Sequence, residues 1–309
     1  MRVLITPRSF AKSGKAALEL LAQKGLTPVI NPAGTIMDED CLRGHISGCS
    51  GVIVGVDPLT AHVMSAAPEL RAVAKYGVGV DNIDLQYCEE HGIKVSRALG
   101  ANSAAVADYT MALMLALARR LPEIDRRCRR KDWSRIMSSD VTGKRLGLIG
   151  LGAVGHEVAR RAAGFSMEVW AHDPAWDADY AAAAGIRRAG VDDICRECDF
   201  ISLHAPLLPE TQKIVGAAQI AMMKPTAYLI NTARGGLVDE EALARALEQK
   251  AIAGAGIDVF THEPPDDESL YALDNLIMGS HCAASTDGAA DAMSLISAQN
   301  LIRDLGLQE

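Results

Sequence analysis

Two α/β domains, each a parallel sheet wound by helices on both faces, are the architecture that this 309-residue sequence predicts. Three observations carry that prediction. Strand-like apolar runs alternate with helical stretches along nearly the whole chain, a pattern that puts helices on the faces of a parallel sheet. A glycine-broken turn within Arg145–Gly155 opens a second such series partway along. Two long helical stretches flank that second series, as crossings between an outer domain and an inserted one. The expected division is 1–99 with 286–309 for the outer domain and 100–285 for the inserted domain.

In chain order, the first series has strands at Val3–Thr6, Pro28–Asn31, Val52–Gly55, Ala72–Tyr76 and Lys94–Ser96. A long helix follows from about Ser103 to Leu121, with Ser103 as N-cap and Pro122 as stop. The second series has strands at Leu146–Ile149, Glu168–Ala171, Phe200–His204, Ala227–Asn231, Ala253–Asp258 and Leu276–Met278, and a last helix runs from about Thr286 to Leu305.

The turn reads Gly-x-Gly-x-x-Gly at Gly150, Gly152 and Gly155, with Ala153 and Val154 between the last two. Gly150 permits a tight turn, Gly152 lets backbone amides approach a pyrophosphate, and Gly155 lets the next helix lie close on its strand. The helix N-terminus adds unpaired N–H groups and partial positive charge. Asp173 ends the second strand about 20 residues on, where a carboxylate receives ribose hydroxyls. The inserted domain is therefore expected to be a Rossmann domain. Asp173 would repel a 2′-phosphate, and no Arg or Lys follows directly, so NAD is the expected cofactor.

The formal net charge of -8 argues against nucleic acid as a partner. The one basic cluster, Arg126, Arg127, Arg129, Arg130 and Lys131, reads as a solvated helix end. No signal-peptide pattern opens the chain. The longest apolar stretch, Tyr109–Ala118, is too short to span a bilayer. Seven cysteines without framework spacing point to reduced thiols and a cytoplasmic protein. Cys195 and Cys198 form a Cys-x-x-Cys pair with no second pair or nearby His, so no metal is expected.

Three stretches at strand carboxyl ends carry candidate chemistry: Asn231–Gly236, Gly256–Pro264 and Gly279–Thr286. They supply Arg234, Glu263 and His281, a set suited to reducing a 2-oxo acid. His donates a proton to the carbonyl oxygen as hydride reaches the carbon. A neighbouring carboxylate orients the ring and favours its protonated form. A guanidinium holds the substrate carboxylate and polarises the carbonyl.

Over essentially its whole length the chain resembles the D-isomer-specific 2-hydroxyacid dehydrogenase family. The matching segments are Lys75–Asp84, Gly100–Arg119, Gly147–Gly155, Ser202–Thr211, Asn231–Glu240, Ala255–Phe260 and Ser280–Thr286. The resemblance implies Arg234, Glu263 and His281 as catalytic residues and Asp258 as acceptor for the nicotinamide carboxamide. It implies Asp173 as the ribose carboxylate, and Thr232 and Ala233 beside the cofactor. The substrate carboxylate falls to backbone amides of Val78 and Gly79, in an outer domain expected to be flavodoxin-like. Homodimers joined through the nucleotide domain and its long helix are also implied. Three positions depart from the family pattern: Ser280 stands where Pro is common, Ala153 where Arg or His is common, and Leu208 where Thr is common.

Arg8 follows the strand Val3–Thr6, and Lys75 with Tyr76 ends the strand before the Gly77–Gly79 loop; Arg8 and Lys75 are candidates to hold a second anionic group, such as a phosphate, sulfonate or carboxylate. The relatives that look nearest are phosphoglycerate-dehydrogenase-like, so D-3-phosphoglycerate is the leading substrate expectation. The chain ends at its last helix, so the extra C-terminal regulatory domain of longer phosphoglycerate dehydrogenases is not expected. Reduction of hydroxypyruvate or glyoxylate, and oxidation of a sulfolactate-type acid, are the alternatives. A different class, an NAD-sensing regulatory protein on the same fold, is separated from these by turnover. Formate dehydrogenation is disfavoured, because that branch has Gln where Glu263 stands.

Overall fold

The computed structural model describes residues 1–308. The chain divides into two compact units, Met1–Asn102 with Ser285–Glu309, and Ser103–Ala284.

The first unit holds strands β1 (Arg2–Ile5), β2 (Thr27–Ile30), β3 (Cys49–Val54), β4 (Ala72–Lys75) and β5 (Lys94–Arg97). All pair in parallel, in the order β2-β1-β3-β4-β5. That is the flavodoxin-like order, in which the sequence of strands reverses between β1 and β3. Parallel strands covered on both faces must be apolar throughout, and Val3, Leu4, Ile5, Val52, Ile53 and Val54 are fully buried. Leu4, Val52 and Val73 pack against Leu42, Ile46 and Val63 on one side, while Val3, Ile5 and Ile53 pack against Leu21, Leu301 and Ile302 on the other. Pro28 is tolerated because β2 is an edge strand, where a missing N–H breaks no ladder on its open side.

The helix Asp287–Asp304 belongs to this unit. Thr286 caps it, its side chain accepting the N–H of Ala289. Its buried face includes Met293, Ala298 and Leu301. A side chain at Gly51 of β3 would meet Leu301 Cδ1 at 3.0 Å, so this helix lies directly on the sheet.

The second unit holds β6 (Arg145–Ile149), β7 (Glu168–His172), β8 (Arg187–Arg188), β9 (Phe200–Leu203), β10 (Tyr228–Asn231), β11 (Gly254–Ile257) and β12 (Leu276–Met278). The order is β12-β11-β10-β9-β6-β7-β8, again all parallel. Counted from β6 this is the Rossmann order, with its reversal between β6 and β9. The Ser103–Ala118 helix is apolar on nearly every side and buries Val106, Met111, Met114 and Leu117. A side chain at Gly256 of β11 would meet Leu113 Cβ at 3.1 Å, which shows how tightly helix and sheet are packed.

Pro122 does not play the expected part. The long helix ends at Ala118, and Arg120 turns the chain through a left-handed conformation with φ 52°. Pro122 then lies in the first turn of a new helix, Leu121–Arg129. A proline is harmless there because its missing N–H would have had no helical partner. Arg126, Arg127 and Arg129 fall in the last turn of that helix and pair with Asp274, Glu123 and Asp125. Strand β8 was not expected: two exposed arginines carry no strand periodicity, and only its register with Trp170 and Ala171 defines it. Among the described residues, no helix is long and apolar enough to cross a membrane.

Leu301→Ala is expected to destabilise the first unit by about 2–5 kcal/mol, since it empties a fully buried position against β3. Urea unfolding checks this through a lower midpoint. A loss below about 1 kcal/mol would mean that the helix does not bear on the sheet.

Candidate active site

In the second unit, β6 runs into the glycine turn at the point where the strand order reverses. Gly150 has φ 104°, and a Cβ there would lie 2.5 Å from the carbonyl carbon of His204, at the end of β9. A Cβ at Gly155 would lie 2.4 Å from the carbonyl oxygen of Gly150, so helix and turn touch backbone to backbone. Gly152 is the opposite case: a Cβ there meets nothing within 4 Å. The open space lies at the N-terminus of the Ala153–Ala163 helix, whose N-cap Gly152 offers no side-chain acceptor and whose first turn holds no acid. The amides of Ala153 and Val154 therefore face an anion-sized opening with the helix dipole behind them.

Asp173 stands just past β7. Its Oδ2 accepts from Leu151 N at 2.7 Å and its Oδ1 from Ala175 N at 2.8 Å. The carboxylate is thus tied to the glycine turn and keeps further lone pairs for a ribose. These residues fit a dinucleotide.

At the end of β10, Asn231 is fully buried and shapes the turn that follows. Its Oδ1 accepts from Ala233 N at 3.0 Å and its Nδ2 donates to the Arg234 carbonyl at 2.7 Å. Thr232 hydrogen-bonds Thr110 across 3.0 Å. Arg234 donates from Nη1 to the Ala233 carbonyl at 2.7 Å. A Cβ on Gly235 would lie 2.1 Å from the carbonyl carbon of Phe260, so this turn rests directly on the chain leading to Glu263. Asn231 was not singled out by sequence reasoning. Its signal was an amide-bearing side chain at a strand end, directly before the candidate Arg.

Beyond β11 and β12, Glu263 and His281 meet. Glu263 Oε2 lies 3.0 Å from His281 Nδ1, and Glu263 Oε1 accepts from Phe260 N at 3.1 Å. Both side chains are about two-fifths exposed, His281 at 43% and Glu263 at 39%, so the pair is open to a ligand. Asp258 is buried beside them, its carboxylate accepting the amides of Cys282 and Ala283.

A second histidine, His204, ends β9 half-buried, with Nε2 2.9 Å from Ser202 Oγ. Desolvation pushes it down to about 3. It stays neutral at any ordinary pH and carries no proton to a substrate. Cys195 and Cys198 are fully buried, and desolvation pushes both thiols up to about 12. Neither supplies a thiolate for metal or redox chemistry. Among the described residues, no group of three or more His, Cys, Asp or Glu is placed to hold a metal.

In the first unit, Arg8 lies past the end of β1, Lys75 is the last residue of β4, and Val78 and Gly79 lie past it. Arg8 is exposed and Val78 is 37% exposed, whereas Lys75 is only 7% exposed. Lys75 Nζ donates to the Gly55 carbonyl at 2.5 Å and to Asn82 Oδ1 at 2.6 Å. Asp57 accepts from Thr6 Oγ1 and from Met37 N.

Residues 111–283 match the NAD binding domain of the D-isomer specific 2-hydroxyacid dehydrogenases. A glyoxylate reductase of Korarchaeum cryptofilum is 41% identical over 266 residues, which is 84% of this chain and 80% of that relative. A D-3-phosphoglycerate dehydrogenase of Methanocaldococcus jannaschii is 42% identical over 246 residues, 79% of this chain but 47% of the relative; the chain spans about half the length of that protein. A D-lactate dehydrogenase from Aquifex aeolicus, solved with NAD and lactic acid, superposes with TM-score 0.86 at 29% identity, covering 99% of this chain and 97% of that one. With the strand orders, the glycine turn and the Glu263–His281 pair alongside these likenesses, the chain belongs to the D-isomer-specific 2-hydroxyacid dehydrogenase family.

Proposed function

We propose that this protein is an NAD-dependent D-2-hydroxyacid dehydrogenase in which His281 moves the proton and Glu263 holds it in place. The observation that carries the reading is the 3.0 Å contact between Glu263 Oε2 and His281 Nδ1. With Nδ1 engaged, Nε2 is the nitrogen left for the oxygen on C2 of the substrate. The bound nicotinamide supplies hydride to C2 of a 2-oxo acid, or takes it from the hydroxy acid. In the reductive direction His281 gives its Nε2 proton to the oxygen as negative charge develops there, and Glu263 holds the ring through Nδ1. Arg234 offers its guanidinium to the substrate carboxylate and carbonyl. Gly150, Gly152, Ala153, Val154 and Gly155 cradle the pyrophosphate, Asp173 takes the ribose hydroxyls, and Thr232, Ala233 and Asp258 lie on the nicotinamide side.

D-3-phosphoglycerate is the leading substrate, on the strength of the M. jannaschii relative and of Arg8, an exposed cation past β1. A second reading, glyoxylate or hydroxypyruvate reduction, draws on the K. cryptofilum relative and on Lys75, whose amine is committed to Gly55 and Asn82. A panel of 2-oxo acids followed by NADH absorbance tests both. Preference for phosphohydroxypyruvate, with Arg8→Ala raising its KM about tenfold and leaving glyoxylate unchanged, is the expected result. Equal effects on both substrates would favour the second reading. NADH binding without turnover of any member would instead support an NAD-sensing regulator.

His281→Ala is expected to lose about 10²–10⁴-fold in kcat while NADH still binds. Loss of NADH binding would make His281 structural. Glu263→Gln removes the carboxylate that holds Nδ1 and is expected to lower kcat about tenfold or more while NADH still binds; an unchanged kcat would sink the role of Glu263.

A cytoplasmic homodimer is proposed as well. All seven cysteines are free thiols. The Leu121–Arg129 helix buries none of its residues, and Trp133 and Met137 beyond it are 80% and 88% exposed. A second copy covering this apolar stretch fits the family habit. Sedimentation is expected to show a dimer that Trp133→Ser with Met137→Ser converts to monomer. A monomeric native protein would refute it.

A further inference from the structure

Asp258 stands directly past β11 and is 1% exposed. Its groups converge on the loop that carries His281. The main-chain carbonyl of Asp258 accepts from His281 N at 2.8 Å. Its Oδ1 accepts from Cys282 N at 3.0 Å and its Oδ2 from Ala283 N at 2.8 Å. Three consecutive amides therefore end on one residue, two of them through charge-assisted bonds, which are roughly twice as strong as neutral ones.

Two neighbouring features fit this clamp. His281 has φ 55°, a left-handed conformation that is strained for a residue with a Cβ. The three hydrogen bonds offset that strain and fix the direction in which the imidazole leaves the backbone. Gly279 supplies the room: a Cβ there would lie 2.1 Å from Asp258 Oδ1 and 2.8 Å from the Tyr109 hydroxyl. Any side chain at 279 collides with the carboxylate in its clamping position.

We propose that Asp258 is a positioning residue for His281: its carboxylate locks the backbone of 281–283, so that the ring presents Nδ1 to Glu263 and Nε2 to the substrate oxygen. This is added to the role implied by family resemblance, an acceptor for the nicotinamide carboxamide. Each carboxylate oxygen receives one backbone N–H and keeps a further lone pair. The proposal rests on the dehydrogenase reading for its kinetic consequences, though not for its structural one.

Two experiments test it. The first is a double-mutant cycle. Asp258→Asn keeps the size but turns one acceptor oxygen into a donor facing an amide. It is expected to lower kcat about 10–100-fold in the native background, the scale of a small misplacement of a reacting group. In the His281→Ala background the same change is expected to cost less than about threefold, because a positioning residue has nothing left to position. Equal losses in both backgrounds would overturn the proposal.

The second experiment needs no turnover. The ring of His281 is followed by NMR through its titration in the native protein, Glu263→Gln and Gly279→Ala. The groups that face it are Glu263, with Asp258, Cys282 and Tyr109 behind the loop. Burial pushes the Tyr109 hydroxyl above its ordinary range, so it stays neutral. Gly279→Ala changes no charge, and only displacement of the clamp can act on the ring. The ring resonances are expected to move in the direction that Glu263→Gln moves them; unmoved resonances would overturn the proposal. Failure of the native protein to reduce any 2-oxo acid would remove the dehydrogenase reading and leave this second test to decide the positioning.

Discussion

Parallel pairing obliges every strand to enter its sheet from the same edge, so every strand also leaves at one common edge. Where the strand order reverses, the connections depart to opposite faces, and the edge opens into a crevice. In the larger unit this reversal lies between β6 and β9, where the backbone of Gly150 touches that of His204. Asp173, Thr232, Arg234, Asp258 and His281 follow the ends of β7, β10, β11 and β12. The amino edge of the same sheet shows what charged groups do without that opportunity. There Asp199 accepts from Arg145 N and pairs with Lys224. Desolvation pushes its carboxyl up, but these two partners outweigh it and hold the group below the usual carboxylate range. That cluster ties strand starts together and faces no cleft.

The same edge shows how one residue type takes different parts. His204 and His281 both stand past strand ends. Desolvation holds His204 neutral, with Ser202 as its partner. His281 keeps nearly half its side chain in solvent and faces a carboxylate. Burial and partner thus set the two histidines apart.

The strands, their parallel pairing and the glycine turn were legible because apolar runs and Gly-x-Gly-x-x-Gly are local signals. Arg234, Glu263 and His281 were singled out because strand ends in such a fold are where side chains meet ligands, and Glu263 and His281 do lie 3.0 Å apart. Pro122 misled because proline forbids a helix interior but suits a first turn, and only Arg120 in a left-handed conformation shows which applies. Strand β8 escaped because its two arginines owe their conformation to pairing with β7 alone. The work of Asn231, and the amides that close on Asp258, escaped because they depend on turn geometry that sequence spacing does not encode.

Arg8 and Lys75 make the same point about charge. Both follow or end strands of the smaller sheet, and position alone treats them alike. Yet Lys75 is buried with its ammonium on a carbonyl and an amide oxygen, while Arg8 stays exposed. An ammonium in that setting gives up its bonds only for a ligand that replaces them, because a buried charge stripped of partners is costly. Its work is done from within the fold: it ties Gly55 to Asn82, and Asn82 in turn donates to the carbonyls of Gly55 and Asp57. The edge of β3 and the loop after β4 are thereby held rigid, and the loop includes Val78 and Gly79. Lys75 thus serves the fold itself, while Arg8 remains an exposed cation past β1.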